Sequence, residues 1–307
     1  MPETLDVRAP AGTARARRAL VAIAAVATSL FILLYAFAVR TRWGQRLDAA
    51  AVNGRRVLSS HDVHVASRLH ASIDIASLTL LGSAILLVAL VRGRLRLALG
   101  AGTIIVGSVA TSEILKRTLS RPYLGVTDAL RHTPTFPSGH TSVAMALGVS
   151  AIFVTPRRWR APVAVLSALF ASAMGCSLVA TASHRPSDTI GAALVVTGWS
   201  AVVAAVLLRS DPAGSPKRSA LSNFSPWMAL GGVALLVASF GAAAISIVAI
   251  HYGRLDTVHF GRAFVAAGAA ITGTVFICTA ALLIALQDAD LDPSRVRRNG
   301  VAPVAWR

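Results

Sequence analysis

Eight long apolar runs constrain this chain more than any other feature. They cover residues 19–39, 73–91, 97–115, 141–155, 161–182, 189–208, 228–250 and 263–286. A helix rises about 1.5 Å per residue and a bilayer's hydrocarbon core is about 30 Å thick, so a spanning helix takes about 20 residues. Seven of the runs have 19 to 24 residues, and 141–155 has 15. That short run reaches a workable length if its helix starts at Ser138. Charged residues make up only 14% of the chain and hydrophobic ones 55%, which excludes disorder and disfavours a soluble enzyme. The expected fold class is therefore all-α, a multi-pass transmembrane helical bundle. The first run exceeds the length of a signal peptide's apolar region and reads as a retained helix.

The net charge of +17 has a topological reading rather than a nucleic-acid one, because many of the basic residues flank apolar runs. With eight spans, Arg15/Arg17/Arg18, Arg92/Arg94/Arg96, Arg157/Arg158/Arg160, Lys217/Arg218 and Arg295/Arg297/Arg298 all fall on one side, and the positive-inside rule makes that side cytoplasmic. The expected home is the cell membrane. The expected partners are membrane lipids, with no nucleic acid, and no oligomeric state follows from the sequence. Cys176 and Cys278 lie inside apolar runs and read as small core residues rather than a disulfide or zinc framework. Residues 40–72 read as a polar connection with a surface helix, carrying His61, His64 and His70. The domain reading is a six-helix core over 1–210, a linker over 211–226, and a further helix pair with a tail over 227–307.

Two polar clusters fall at the same membrane face. One runs from Lys116 and Arg121-Pro122 to Pro137-Ser138-Gly139-His140. Ser138 is a favoured N-cap, and an apolar run follows at once. A helix starting here fits either an ordinary capped start with an interfacial histidine or an oxyanion cradle built from first-turn N–H groups and the helix dipole. The other cluster is Ser183-His184-Arg185-Pro186-Ser187-Asp188. His184 and Asp188 are spaced i, i+4, so the carboxylate can orient the imidazole and leave its other nitrogen free to attack; an interfacial capping pair would look the same. Lys116, Arg121 and Arg185 suit either a phosphate dianion or headgroup anchoring, while Arg117 and Arg131 fit anchoring better. Glu113, near the end of its run, suits pairing with a nearby cation or a place at the interface.

These residues in this order resemble the type 2 phosphatidic acid phosphatase (PAP2) superfamily, over roughly residues 70–208. The family pattern is K-x6-R-P, then P-S-G-H, then S-R-x5-H-x3-D. Lys116, the whole Pro137–His140 tetrapeptide, Ser177, His184 and Asp188 match it. Tyr123 and Leu178 stand where the family has arginines, and Arg121-Pro122 comes two residues early. The resemblance implies a six-span helical core shared with vanadium haloperoxidases. It implies hydrolysis of a lipid phosphate or isoprenoid (di)phosphate through a phosphohistidine, without metal or other cofactor. His184 would be nucleophile, Asp188 its orienter and His140 the proton donor. Lys116, Arg121, Ser138, Gly139 and Arg185 would hold the phosphate. A weak or inactive lipid-phosphate binder and a phosphotransferase of the same fold are the alternatives. A transporter fits less well, because the apolar interiors are almost free of charge.

Overall fold

Alanine, leucine, valine and isoleucine predominate in the eight runs, with glycine, serine and threonine set among them, and in hydrocarbon only a helix or a closed barrel satisfies the backbone of such segments. The computed structural model describes residues 11–130, 133–208, 224–251 and 257–287, and there every run is helical. The elements are α1 (Ala11–Leu34), extended by a π-helical turn to Val39, α2 (Arg42–Gly54), α3 (Ser60–Ala71), α4 (Ile75–Val91), α5 (Leu95–Thr118), α6 (Gly139–Val154), α7 (Arg160–Ala180), α8 (Pro186–Leu207), α9 (Phe224–His251) and α10 (Thr257–Leu286). No strand occurs among the described residues. Most of the 211–226 linker lies outside them, as do Arg131, Lys217/Arg218 and Arg295/Arg297/Arg298.

Six of these helices are long and apolar enough to cross a membrane alone. The α3 and α4 helices form a further candidate as one span bent by 56°. Capping explains the bend: α3 closes at Ser72, whose N–H donates to the Leu69 carbonyl, and Asp74 and Ser77 form a capping box that opens α4, so one helix ends and a new one begins. With 16 residues, α6 rises only about 24 Å. It is packed around by α4, α5, α7 and α8, so its length is matched to protein neighbours rather than to lipid. Leu80, Val91 and Phe240, each more than two-thirds exposed, belong to the outward apolar surface that a bilayer covers. The protein is an integral membrane helical bundle.

The 40–72 connection departs from the sequence expectation. Of its two α-helices, only α3 buries none of its residues; α2 is half-buried, with Gly44, Gln45, Asp48, Ala49 and Val52 on its inner side. Small residues let it approach closely: the backbone of Phe260 in α10 lies where a side chain at Gly54 would sit. At Gly175 of α7 an added Cβ would come within 2.7 Å of Ile271 of the same helix α10. The C-terminal pair thus packs on the core through α10, against α2, α7 and α8.

Candidate active site

The start of α6 and the α7–α8 turn meet at one end of the bundle, tied together by the Ser138 N–H donating to the Asp188 carbonyl at 2.9 Å. This brings the rings of His140 and His184 to 6.4 Å between centroids. Both are thus within reach of one small tetrahedral group, given hydrogen bonds of about 3 Å. Pro186 opens α8, where its missing N–H is no loss. Asp188, fully buried at the third helical position, accepts from the Arg185 N–H at 2.8 Å, and its Oδ2 lies 3.4 Å from His184 Nδ1. One carboxylate therefore caps the helix and faces the imidazole.

Ser138 is fully buried, and its Oγ accepts from the Thr141 N–H at 3.3 Å. The side-chain space missing at Gly139 is filled by the neighbouring ion pair: an added Cβ would lie 2.5 Å from Glu113 Oε1 and 3.3 Å from Lys116 Nζ. Lys116 donates to that Glu113 oxygen at 2.6 Å. The lysine is thus held over the N-terminus of α6 by an acid one turn before it.

The two arginines are engaged with the protein. Arg185, only 2% exposed, grips Asp128 with two donors, Nε to Oδ2 at 2.7 Å and Nη2 to Oδ1 at 2.9 Å, and its Nη1 reaches Thr135 Oγ1 at 3.1 Å. Arg121 donates from Nη2 to Asp48 Oδ2 at 2.9 Å. Its other terminal nitrogen lies 3.8 Å from Asp188 Oδ1, and neither of those two buried atoms has a hydrogen-bond partner in the protein. Asp48 also accepts from Ser187 Oγ at 2.6 Å. Burial pushes its carboxyl above the usual carboxylate range, opposed by Arg121. Of the positions where the family carries arginine, Tyr123 is exposed and Leu178 is wholly buried in the core.

Sequence reasoning missed Asp48 and Asp128 as the arginines' partners. It noted His70 without assigning it. His70 stands at the end of α3 with its ring 4.6 Å from that of His140, at 86° to it. The regular inward spacing of Gly44, Gln45, Asp48, Ala49 and Val52 was the available signal for Asp48.

An open groove starts at His140 and runs between α6 and the start of α4, lined by Ile73, Asp74, Ala76, Thr79 and Leu80. Residues 97–211, from the first turn of α5 to just beyond α8, match the family model of the PAP2 superfamily. No curated protein and no solved structure matches the chain.

Proposed function

The chain belongs to the PAP2 superfamily, a superfamily generally of phosphatases, and we propose that it hydrolyses a lipid phosphate or an isoprenoid (di)phosphate at the bilayer surface. The observation that carries this reading is the pair of imidazoles 6.4 Å apart, one of them backed by a buried carboxylate. His184, with its Nδ1 proton directed at Asp188, presents Nε2 to phosphorus. The N–P bond forms as the bond from phosphorus to the leaving oxygen breaks, and His140 gives that oxygen a proton. Water then attacks the phosphohistidine, His140 takes its proton back, and inorganic phosphate leaves. Lys116 and the first-turn N–H groups of Gly139 and His140 bear on the non-bridging oxygens, together with Ser138 through the cap it forms. Arg121 and Arg185 add direct contacts only by exchanging Asp48 and Asp128 for phosphate.

The apolar groove beside His140 supports a lipid substrate, since it gives an alkyl or isoprenoid chain a bilayer-side approach to the site. The arginine-rich turns at the opposite end of the bundle support a non-cytoplasmic site. With no carboxylate cluster called for, the chemistry runs without metal. Purified protein should release phosphate from a panel of lipid phosphates, with EDTA present. His184→Ala and His140→Ala should each abolish release, and normal turnover in either removes the mechanism. One observation favours a second reading, a phosphate-binding protein with little turnover: Lys116, Arg121 and Arg185 each already face a carboxylate. Absence of hydrolysis together with retained vanadate binding would select it. Transfer of phosphate to an added alcohol in the product analysis would instead mark a phosphotransferase.

A further inference from the structure

Among the described residues three imidazoles stand ring to ring at this end of the bundle, and the two-step chemistry above uses two of them. The third, His70, lies in the last turn of α3, and α3 packs against α7. Its Nδ1 is 3.4 Å from Ser183 Oγ, in the same turn that carries His184, and its ring meets that of His140 edge-on. Burial, and after it the charge of nearby His184, holds its imidazole below the usual histidine range. His70 is therefore anchored on both halves of the site at once. The cluster stands where Lys116 lies over the first turn of α6, a place of positive field that suits an anion.

The balance of charge points the same way. A phosphate ester arrives with up to two negative charges, and charge on its non-bridging oxygens must be met in the transition state. Lys116 is paired with Glu113, Arg121 with Asp48 and Arg185 with Asp128. His184 has to be unprotonated at its attacking nitrogen, and His140 passes its proton to the leaving group. We propose that His70 is a third ligand of the substrate phosphate, which in its protonated form donates a charge-assisted hydrogen bond to a non-bridging oxygen and supplies the positive charge that the paired cations deliver only in part. The proposal rests on the phosphatase reading of this site.

The titratable groups that bear on His70 are His140 of α6, which meets its ring, and His184 of the α7–α8 turn; behind them Lys116 and Glu113 of α5 act on His140 and Asp188 of α8 on His184, while Arg68 lies on its own helix and Asp74 at the start of α4. Protonation of His70 is opposed by burial and by the charge of His184 and favoured by a bound phosphate, so its positive charge is present only toward the acid side of the ordinary imidazole range. Phosphate binding should therefore weaken as pH rises through that range.

The test is titration calorimetry of inorganic phosphate on the full-length protein in detergent, for the parent, His70→Ala, His70→Gln and His70→Arg. It is run at about pH 5 and about pH 8, the lower value set toward acid because burial lowers His70. His70→Ala and His70→Gln should bind phosphate about tenfold or more weakly at the lower pH, the loss expected for a charge-assisted contact, and change little at the higher one. His70→Arg should bind well at both. Parent-like binding in both neutral variants, no gain for His70→Arg at the higher pH, or no phosphate binding by the parent at either pH overturns the proposal. Hydrolysis measured alongside separates the two claims. If His70 governs phosphate binding but no lipid phosphate is cleaved, the phosphatase reading falls and the ligand role stands. If cleavage occurs with phosphate binding unchanged in the variants, the reverse holds.

Discussion

At the end of the bundle away from the histidines, arginines reach backbone carbonyls. Arg17 donates to Leu208 after α8 at 3.2 Å, Arg92 to Val154 at the end of α6 at 3.5 Å, and Arg157 to Gln287 after α10. At the histidine end, Arg121 and Arg185 are buried and held by Asp48 and Asp128. The difference follows from what each end must satisfy. The last carbonyls of a helix have no partner of their own, and a long cationic side chain at the water interface can supply one. A guanidinium out of water needs a full opposite charge and the remaining donors filled. So one end uses arginine as a replaceable cap, and the other builds it into the walls of a site. Removing a charge should matter far more at the second end than at the first.

After the loss of either catalytic histidine, the largest effect should come from Asp188→Asn. The amide keeps the shape but cannot stabilise an imidazolium at His184, so kcat on the best lipid phosphate should fall by about 10³-fold or more, with helix content unchanged by circular dichroism. Near-normal turnover in this variant would mean that Asp188 serves only as a helix cap.

Next comes Asp128→Ala. It leaves Arg185 at 2% exposure without its bidentate partner, and breaking such a buried pair costs about 3–5 kcal/mol. Thermal unfolding in detergent should show a fall of that size. Replacing both members, as Asp128→Leu with Arg185→Met, should recover most of it. A double variant as unstable as the single one would show that Thr133 and Thr135, rather than the charge pair, fix the loop.

How much of this could be read from the sequence depends on whether the partners are near in the chain. The eight helices, the Ser138 start and the His184–Asp188 pair are local, set by hydropathy, capping and i, i+4 spacing, and all are legible. The bonds Arg121–Asp48 and Arg185–Asp128 join residues 73 and 57 positions apart, and nothing in the spacing announces them. The 42–54 segment hid Asp48 for a second reason. Its inner face sets glycine and alanine beside Gln45, Asp48 and Val52, so it lacks the large apolar side chains that mark a buried helix, although close packing against α10 needs just such small residues. The one-sided pattern of Gly44, Gln45, Asp48 and Val52 carried the signal that bulk did not.

A smaller effect is expected at Gly139→Ala. The atoms an added Cβ would meet are the flexible ends of Glu113 and Lys116, so the helix should tolerate it and the unfolding temperature should barely move. The Lys116 ammonium must shift to make room, and kcat/KM should fall about tenfold, the scale of one misplaced charge-assisted contact. A large loss of stability with unchanged kcat/KM would place the pair in packing rather than in the site.

The smallest effect belongs to the other end. Arg92 is exposed, its bond to the Val154 carbonyl is long, and water can take its place. A net hydrogen bond of this kind is worth about 0.5–1.5 kcal/mol, and exposure puts this one at or below the lower bound. Arg92→Ala should therefore leave thermal unfolding nearly unchanged. It should also leave kcat/KM unchanged, because about 21 Å of α6 separates Val154 from His140. A loss of turnover at constant stability would show that the capped end communicates with the site, and that the two uses of arginine are not independent after all.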